Sequence, residues 1–232
     1  MSTVAPASPQ LDFSRPFAYV FDDPNWVQKI LIGGLFYLAG IFIVGWFFLF
    51  GYVAQTTRNI IAGVPHPLPE WNDLGGFFAE GLRVAGVWLV YMLPLFLVFI
   101  GLMVPTTILG AIGGSQENEA AEAMAGLFMG CIYCLMLPIG LAFAFWLPAA
   151  MLRVAVKQRF SAGFEFGAIW AFIRGNVGNY LLAVLVMFIA RFVGGAGVML
   201  FCIGVIFTAF WAFLISAHAY AQVWMLSPVH ES

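Results

Sequence analysis

Long charge-free apolar stretches alternate along this chain with short segments that hold nearly all of its charge. The first apolar stretch runs from Ile30 to Thr57, the second from about Val84 to Gly113 and the third from about Met124 to Leu152. The fourth, Gly175 to Ala190, is short and ends at Arg191; the fifth, from about Val198 to Met225, follows the break Gly194-Gly195-Ala196-Gly197. A helix needs about 20 apolar residues, at ~1.5 Å each, to fill a bilayer core. Four stretches meet that length. Pro94 and Pro105 interrupt the second, and Pro138 and Pro148 the third. The pattern predicts an all-α, polytopic transmembrane helix bundle.

Charge decides between five and six spans. The first stretch is either one tilted helix or two short helices broken near Gly40. Loops on the cytoplasmic side are enriched in Lys and Arg. With two short helices, Arg15, Lys29, Arg58, Arg83, Arg153, Lys157, Arg159 and Arg174 share one side. The acidic segment Gln116 to Glu122 and Arg191 fall opposite, where Arg191 snorkels from a helix end. With a single crossing this bias weakens. The expectation is therefore about six spans, the first two short or a re-entrant hairpin, with both termini cytoplasmic.

Three charged segments next to the spans are rich in aromatics and read as amphipathic helices in the headgroup layer. They are Phe13 to Phe21, Leu68 to Arg83 and Phe160 to Arg174. In the first region Asp23 reads as an N-cap with Pro24 at the first helical position. Trp26 and Lys29 stand where an interfacial anchor stands. In the second, Pro69 suits a helix start, and Glu70 and Asp73 suit the positive end of its dipole. Trp71 is a further anchor, and Glu80 pairs with Arg83 at i,i+3.

Composition agrees. Of 232 residues, 63% are apolar and only 9% charged; the mean hydropathy is +0.98. So few charges do not cover a water-facing surface. A net charge of −2 argues against a nucleic-acid partner, which requires a basic patch. Cys131, Cys134 and Cys202 lie in apolar surroundings and form no secreted disulfide framework. Residues 1–12 read as a disordered tail without a signal-peptide pattern. Residues 13–226 read as one transmembrane domain and 227–232 as a C-terminal tail.

Candidate chemistry is sparse. Cys131-x-x-Cys134 is either a redox pair or half a metal site, or two small apolar side chains on a membrane helix. His218 and Gln222, one turn apart near the end of the last span, are either a buried ligand or proton site or partners for another helix. Arg58, Arg83, Arg153, Arg174, Asn176 and Asn179, with Gln55 to Thr57, either line a cytoplasm-facing pocket for an anionic head group or cap and snorkel at the interface. Gly126-x-x-x-Gly130 matches a small-residue packing pattern inside a span. No nucleotide loop, nucleophile elbow, zinc-protease or EF-hand motif occurs, and no Asp or Glu lies well inside a span. No catalytic, cofactor or metal site is predicted.

The segment Phe13 to Trp26, followed by Lys29 to Gly34, resembles the opening of an uncharacterised prokaryotic membrane family, domain of unknown function 4013. Gly51-Tyr52, Arg58-Asn59 and Pro67 to Gly75 are similar to it as well. Asn176 to Tyr180, with His218 and Gln222, resemble its C-terminal half. The resemblance implies a multi-helix membrane protein and brings no activity with it. The expected role is that of a non-enzymatic protein of the prokaryotic cytoplasmic membrane. It acts there as an accessory or scaffold subunit beside other membrane proteins, or alternatively as a small carrier or lipid-binding protein.

Overall fold

The computed structural model describes residues 10–116, 119–199 and 204–228. Among them there is no strand. The helices are α1 (Arg15–Ala18), α2 (Trp26–Ala39), α3 (Val44–Ile61), α4 (Leu74–Gln116), α5 (Glu119–Lys157), α6 (Phe166–Gly175), α7 (Val177–Ala196) and α8 (Gly204–Leu226). Short 3-10 turns cover Tyr19–Asp22, Gly40–Phe42, Phe160–Phe164 and Gly197–Met199. The expected all-α membrane helix bundle is what forms.

Four helical segments are long and apolar enough to cross a membrane: Leu74–Ile112, Ala120–Lys157, Val177–Met199 and Gly204–Leu226. A fifth is reached if Arg15–Asp22 and Trp26–Phe42, which meet at 109°, count as one. The difference from six lies in the first stretch. There α2 and α3 form the short, broken pair that the charge pattern favours. With 14 residues, α2 rises only ~21 Å at ~1.5 Å per residue, against a hydrocarbon core of ~30 Å.

The chain divides into two compact units, one of Met1–Val87 with Pro148–Ser232, the other of Trp88–Leu147. In the first, α8 packs against α7, α3 and α2. Gly33 and Gly34 let α2 accept the rings of Phe210 and Phe207, because a Cβ at either position would overlap them. A Cβ at Gly51 would fall on the carbonyl of Phe77, and one at Gly81 on that of Phe47. So α3 and the first turns of α4 touch backbone to backbone. Beside this crossing Tyr52 stacks on Trp71, centroids 4.1 Å apart, and Trp71 on Phe36 at 4.9 Å.

The α2–α3 turn is apolar and strained. Ile41, Phe42 and Ile43 are 75%, 78% and 68% exposed, and Ile43 sits at φ +67°, a region β-branched residues avoid. A glycine would ease the backbone.

The second unit consists of the middle portions of α4 and α5. Trp146 donates from Nε1 to the Tyr91 hydroxyl at 3.0 Å, and Tyr91 meets Phe143 edge-on. Leu93, Phe96, Leu127 and Leu137 point outward.

Several local expectations change. The helices α4 and α5 run unbroken through Pro94, Pro105, Pro138 and Pro148; membrane helices tolerate proline where neighbouring groups re-satisfy the backbone. The segment Leu74 to Arg83 is no separate interfacial helix but the start of α4. Asp73, not Pro69, starts it, accepting the Gly76 N–H at 2.9 Å. Likewise α2 starts after Asn25 rather than Asp23, and α7 continues past Arg191 to Ala196. Of the expected tails, residues 1–9 and 229–232 lie outside the described residues, whereas Leu11 and Ser227 are buried.

Candidate functional site

Helix ends carrying most of the charge meet in one layer of the first unit, and the side chains predicted as functional lie there. Its first node is Lys29, whose side chain is 6% exposed. The ammonium reaches Asp23 at 2.8 Å, Glu70 at 2.8 Å and the Leu68 carbonyl at 2.8 Å. Asp23 also accepts the Asn25 N–H. Trp71 donates to the Lys29 carbonyl at 3.1 Å, and Tyr52 donates to that of Pro69. Trp26 packs edge-on to Phe21. Lys29, expected as an interfacial anchor, is instead buried. It is a buried ion pair that binds the 67–73 loop to the start of α2.

The second node joins α3, α4 and α5. Arg58 Nη2 donates to both carboxylate oxygens of Glu80 at 2.6 and 2.7 Å, and its Nη1 donates to the Ala155 carbonyl at 3.0 Å. Gln158 donates to Glu80 at 3.1 Å. The partner of Glu80 is therefore Arg58 rather than Arg83, which points to the Gln158 carbonyl at 3.4 Å.

The third node is Arg153, 1% exposed, at 2.5 Å from Glu165. Arg159 shares that carboxylate at 3.1 Å. The hydrogen bond from Arg153 and the cations around it hold the Glu165 carboxyl below its ordinary range. Nε and Nη1 of Arg153 are buried with no acceptor among the described residues. Arg174 stays exposed in the last turn of α6, where a cation complements the helix dipole.

His218 and Gln222 do come together, but around the chain's own N-terminal segment. The Gln222 amide accepts the Asp12 N–H at 2.8 Å and donates to the Asp12 carbonyl at 3.2 Å. It therefore pairs with that backbone as a neighbouring strand would. Its Nε2 also lies 3.0 Å from His218 Nδ1, and the Tyr19 ring packs on His218 at 4.5 Å. Asn179 accepts the Leu11 N–H at 2.9 Å and donates to Asn176. The Asp12 carboxylate, bound by Ser14 and by the Arg15 N–H, is held below the usual carboxylate range. These residues clasp the segment before α1 onto α7 and α8.

Sequence reasoning missed Asp23 and Glu165 as counter-ions and read Asn179 as a pocket or cap residue rather than a clasp, since pairing between distant segments leaves no local signal. Cys131 and Cys134 are exposed on α5; Cys202 lies outside the described residues. Among the described residues no three His, Cys, Asp or Glu groups are placed to hold a metal.

Apolar helices of spanning length, with charge gathered at one set of helix ends, define a multi-helix membrane protein. The family model described as protein of unknown function DUF4013 matches residues 34–215. The chain belongs to that family. The match contains Gly51-Tyr52, Arg58-Asn59, Pro67 to Gly75 and Asn176 to Tyr180; the opening before Gly34, and His218 with Gln222, lie outside it. No curated protein and no solved structure matches the chain.

Proposed function

We propose that this protein is a non-catalytic accessory or scaffold subunit of a membrane complex, and that the α4–α5 pair of the second unit meets the partner. The supporting observation concerns glycine. In the first unit Gly33, Gly34, Gly51 and Gly81 each take a neighbour where a side chain would be, while Gly167, Gly178 and Gly195 stay open. In the second unit Gly101, Gly110, Gly126, Gly130 and Gly140 have nothing within 4 Å of that position. Open glycines on apolar helices permit close approach of another helix, whereas a purely lipid-facing surface has no use for them. The ion pairs of the charged layer point the same way, since they hold its carboxylates to fastening helix ends. The basic residues of that layer favour placing it, with both termini, on the cytoplasmic side of a prokaryotic membrane.

A photoreactive residue at Leu127 or Leu137, 70% and 67% exposed, tests the reading in cells. A crosslink to one other membrane protein, abolished by Gly126→Leu with Gly130→Leu, is expected. Crosslinks to lipid alone from both positions contradict it.

A further inference from the structure

Arg191 is a cation inside a spanning segment, and among the described residues no carboxylate pairs with it. It stands 14 residues beyond Val177 in α7, roughly 21 Å along the helix at ~1.5 Å per residue. Exposed apolar side chains lie on both sides of it: Leu185 and Phe188 before it, Phe192 and Met199 after it. Its guanidinium carbon lies 4.2 Å above the centre of the Phe213 ring. Two amphipathic rings border the same phenylalanine, Trp46 at 5.9 Å and Tyr37 at 6.5 Å. Those two meet edge-on at 5.3 Å. Four helices, α2, α3, α7 and α8, thus bring a guanidinium, an indole and a phenol around one ring, close to the apolar turn of the α2–α3 hairpin.

A charge in a spanning segment ordinarily faces a bundle interior and pairs there. Arg191 is instead exposed, with the Phe213 ring beneath its guanidinium and no acidic partner among the described residues. We propose that Arg191, with Tyr37 and Trp46, forms a binding site for the phosphate of a lipid head group, drawn from the leaflet at the hairpin-tip end. The planar guanidinium presents forked donors that match phosphate oxygens. Trp and Tyr are the residues that settle where apolar and polar layers meet. A lipid brings both things this surface needs: a phosphate for Arg191 and acyl chains for the exposed Leu185 and Phe188 along α7. The apolar residues beyond Arg191 place the guanidinium below the usual head-group level. The bound phosphate therefore sits inward of its neighbours, thinning that leaflet locally. This site is independent of the subunit reading, and its test reads lipid rather than partner protein.

The test is native mass spectrometry of the purified full chain in mild detergent. Phosphatidylglycerol, phosphate-free diacylglycerol and inorganic phosphate are added as separate probes. Wild type is expected to hold phosphatidylglycerol in preference to diacylglycerol, and Arg191→Gln to bind it about tenfold more weakly, the loss of a charge-assisted contact. Thermal unfolding reports whether the variant folds. Should it not, Tyr37→Phe with Trp46→Phe keeps the charge while removing two donors, and a several-fold weakening is expected. Unchanged phosphatidylglycerol binding in a folded variant overturns the site. So does equal retention of diacylglycerol. Displacement of the lipid by millimolar inorganic phosphate overturns the lipid source and leaves a free-anion site.

Discussion

Replacing Lys29 by methionine isolates the energetics of the charged layer. The substitution keeps most of the side-chain volume and removes the ammonium that Asp23, Glu70 and the Leu68 carbonyl share. Asp23, with its side chain 2% exposed, then keeps only the Asn25 N–H. Breaking a buried ion pair by deleting one partner costs about 3–5 kcal/mol, chiefly because the other charge is left buried. For a chain of this size each kcal/mol moves Tm by about 2–4 °C, so a fall of roughly 6–20 °C is expected in a fixed detergent. Glu70 is 57% exposed, and Glu70→Gln should cost under about 1 kcal/mol, as surface pairs do. The double variant Asp23→Asn, Lys29→Met leaves no orphaned charge at Asp23, and the new amide still accepts from Asn25. It should recover most of the loss. A Tm for Lys29→Met within about 2 °C of wild type, or a double variant whose loss equals the sum of the two single losses, would refute the buried-pair reasoning.

Gly51→Ala and Gly81→Ala each drive a methyl into a backbone carbonyl across the α3–α4 crossing; thermal unfolding should show a loss of at least about 1–3 kcal/mol, the scale of overpacking. Gln222→Leu removes both hydrogen bonds to Asp12, and limited chymotrypsin cleavage after the exposed Phe13 should become about tenfold faster with the rest of the chain intact. The carboxyls of Asp12 and Glu165 are both held low. Their contribution is therefore complete at neutral pH and is lost as pH falls below about 4 and through the depressed values. Hydrogen exchange over residues 10–15 and 160–175 should stay slow from pH 7 to 5 and show reduced protection, after correction for intrinsic rates, nearer pH 3.

Much of the fold was legible because spans announce themselves locally. A run such as Leu181 to Ile189 names its environment wherever it stands, and the break at Gly40 showed both in the residues and in the charge bias. Helix boundaries were less legible. Pro94 and Pro105 read as interruptions by the rules for water-soluble helices, yet α4 continues through both. Arg191 read as a helix end by its charge, yet α7 carries it onward. The site was least legible. Glu80 had an i,i+3 partner in Arg83, and its true partner Arg58 lies 22 residues away. Gln222 holds a segment 210 residues away. Such pairings depend on how the helix ends assemble, and hydropathy is blind to that. The surroundings of the candidate residues are set by counter-ions and backbone groups brought in from elsewhere in the chain.

The subunit role is tested most directly by purifying the tagged protein at native expression level in a lipid-preserving medium. Every co-purifying protein is then identified and quantified by mass spectrometry, for wild type and for Gly126→Leu with Gly130→Leu. One membrane protein in fixed stoichiometry with wild type, lost from the double variant while the variant itself stays folded, is the expected result. A wild-type chain that purifies alone, or a partner retained unchanged by the double variant, would contradict the role proposed for the second unit.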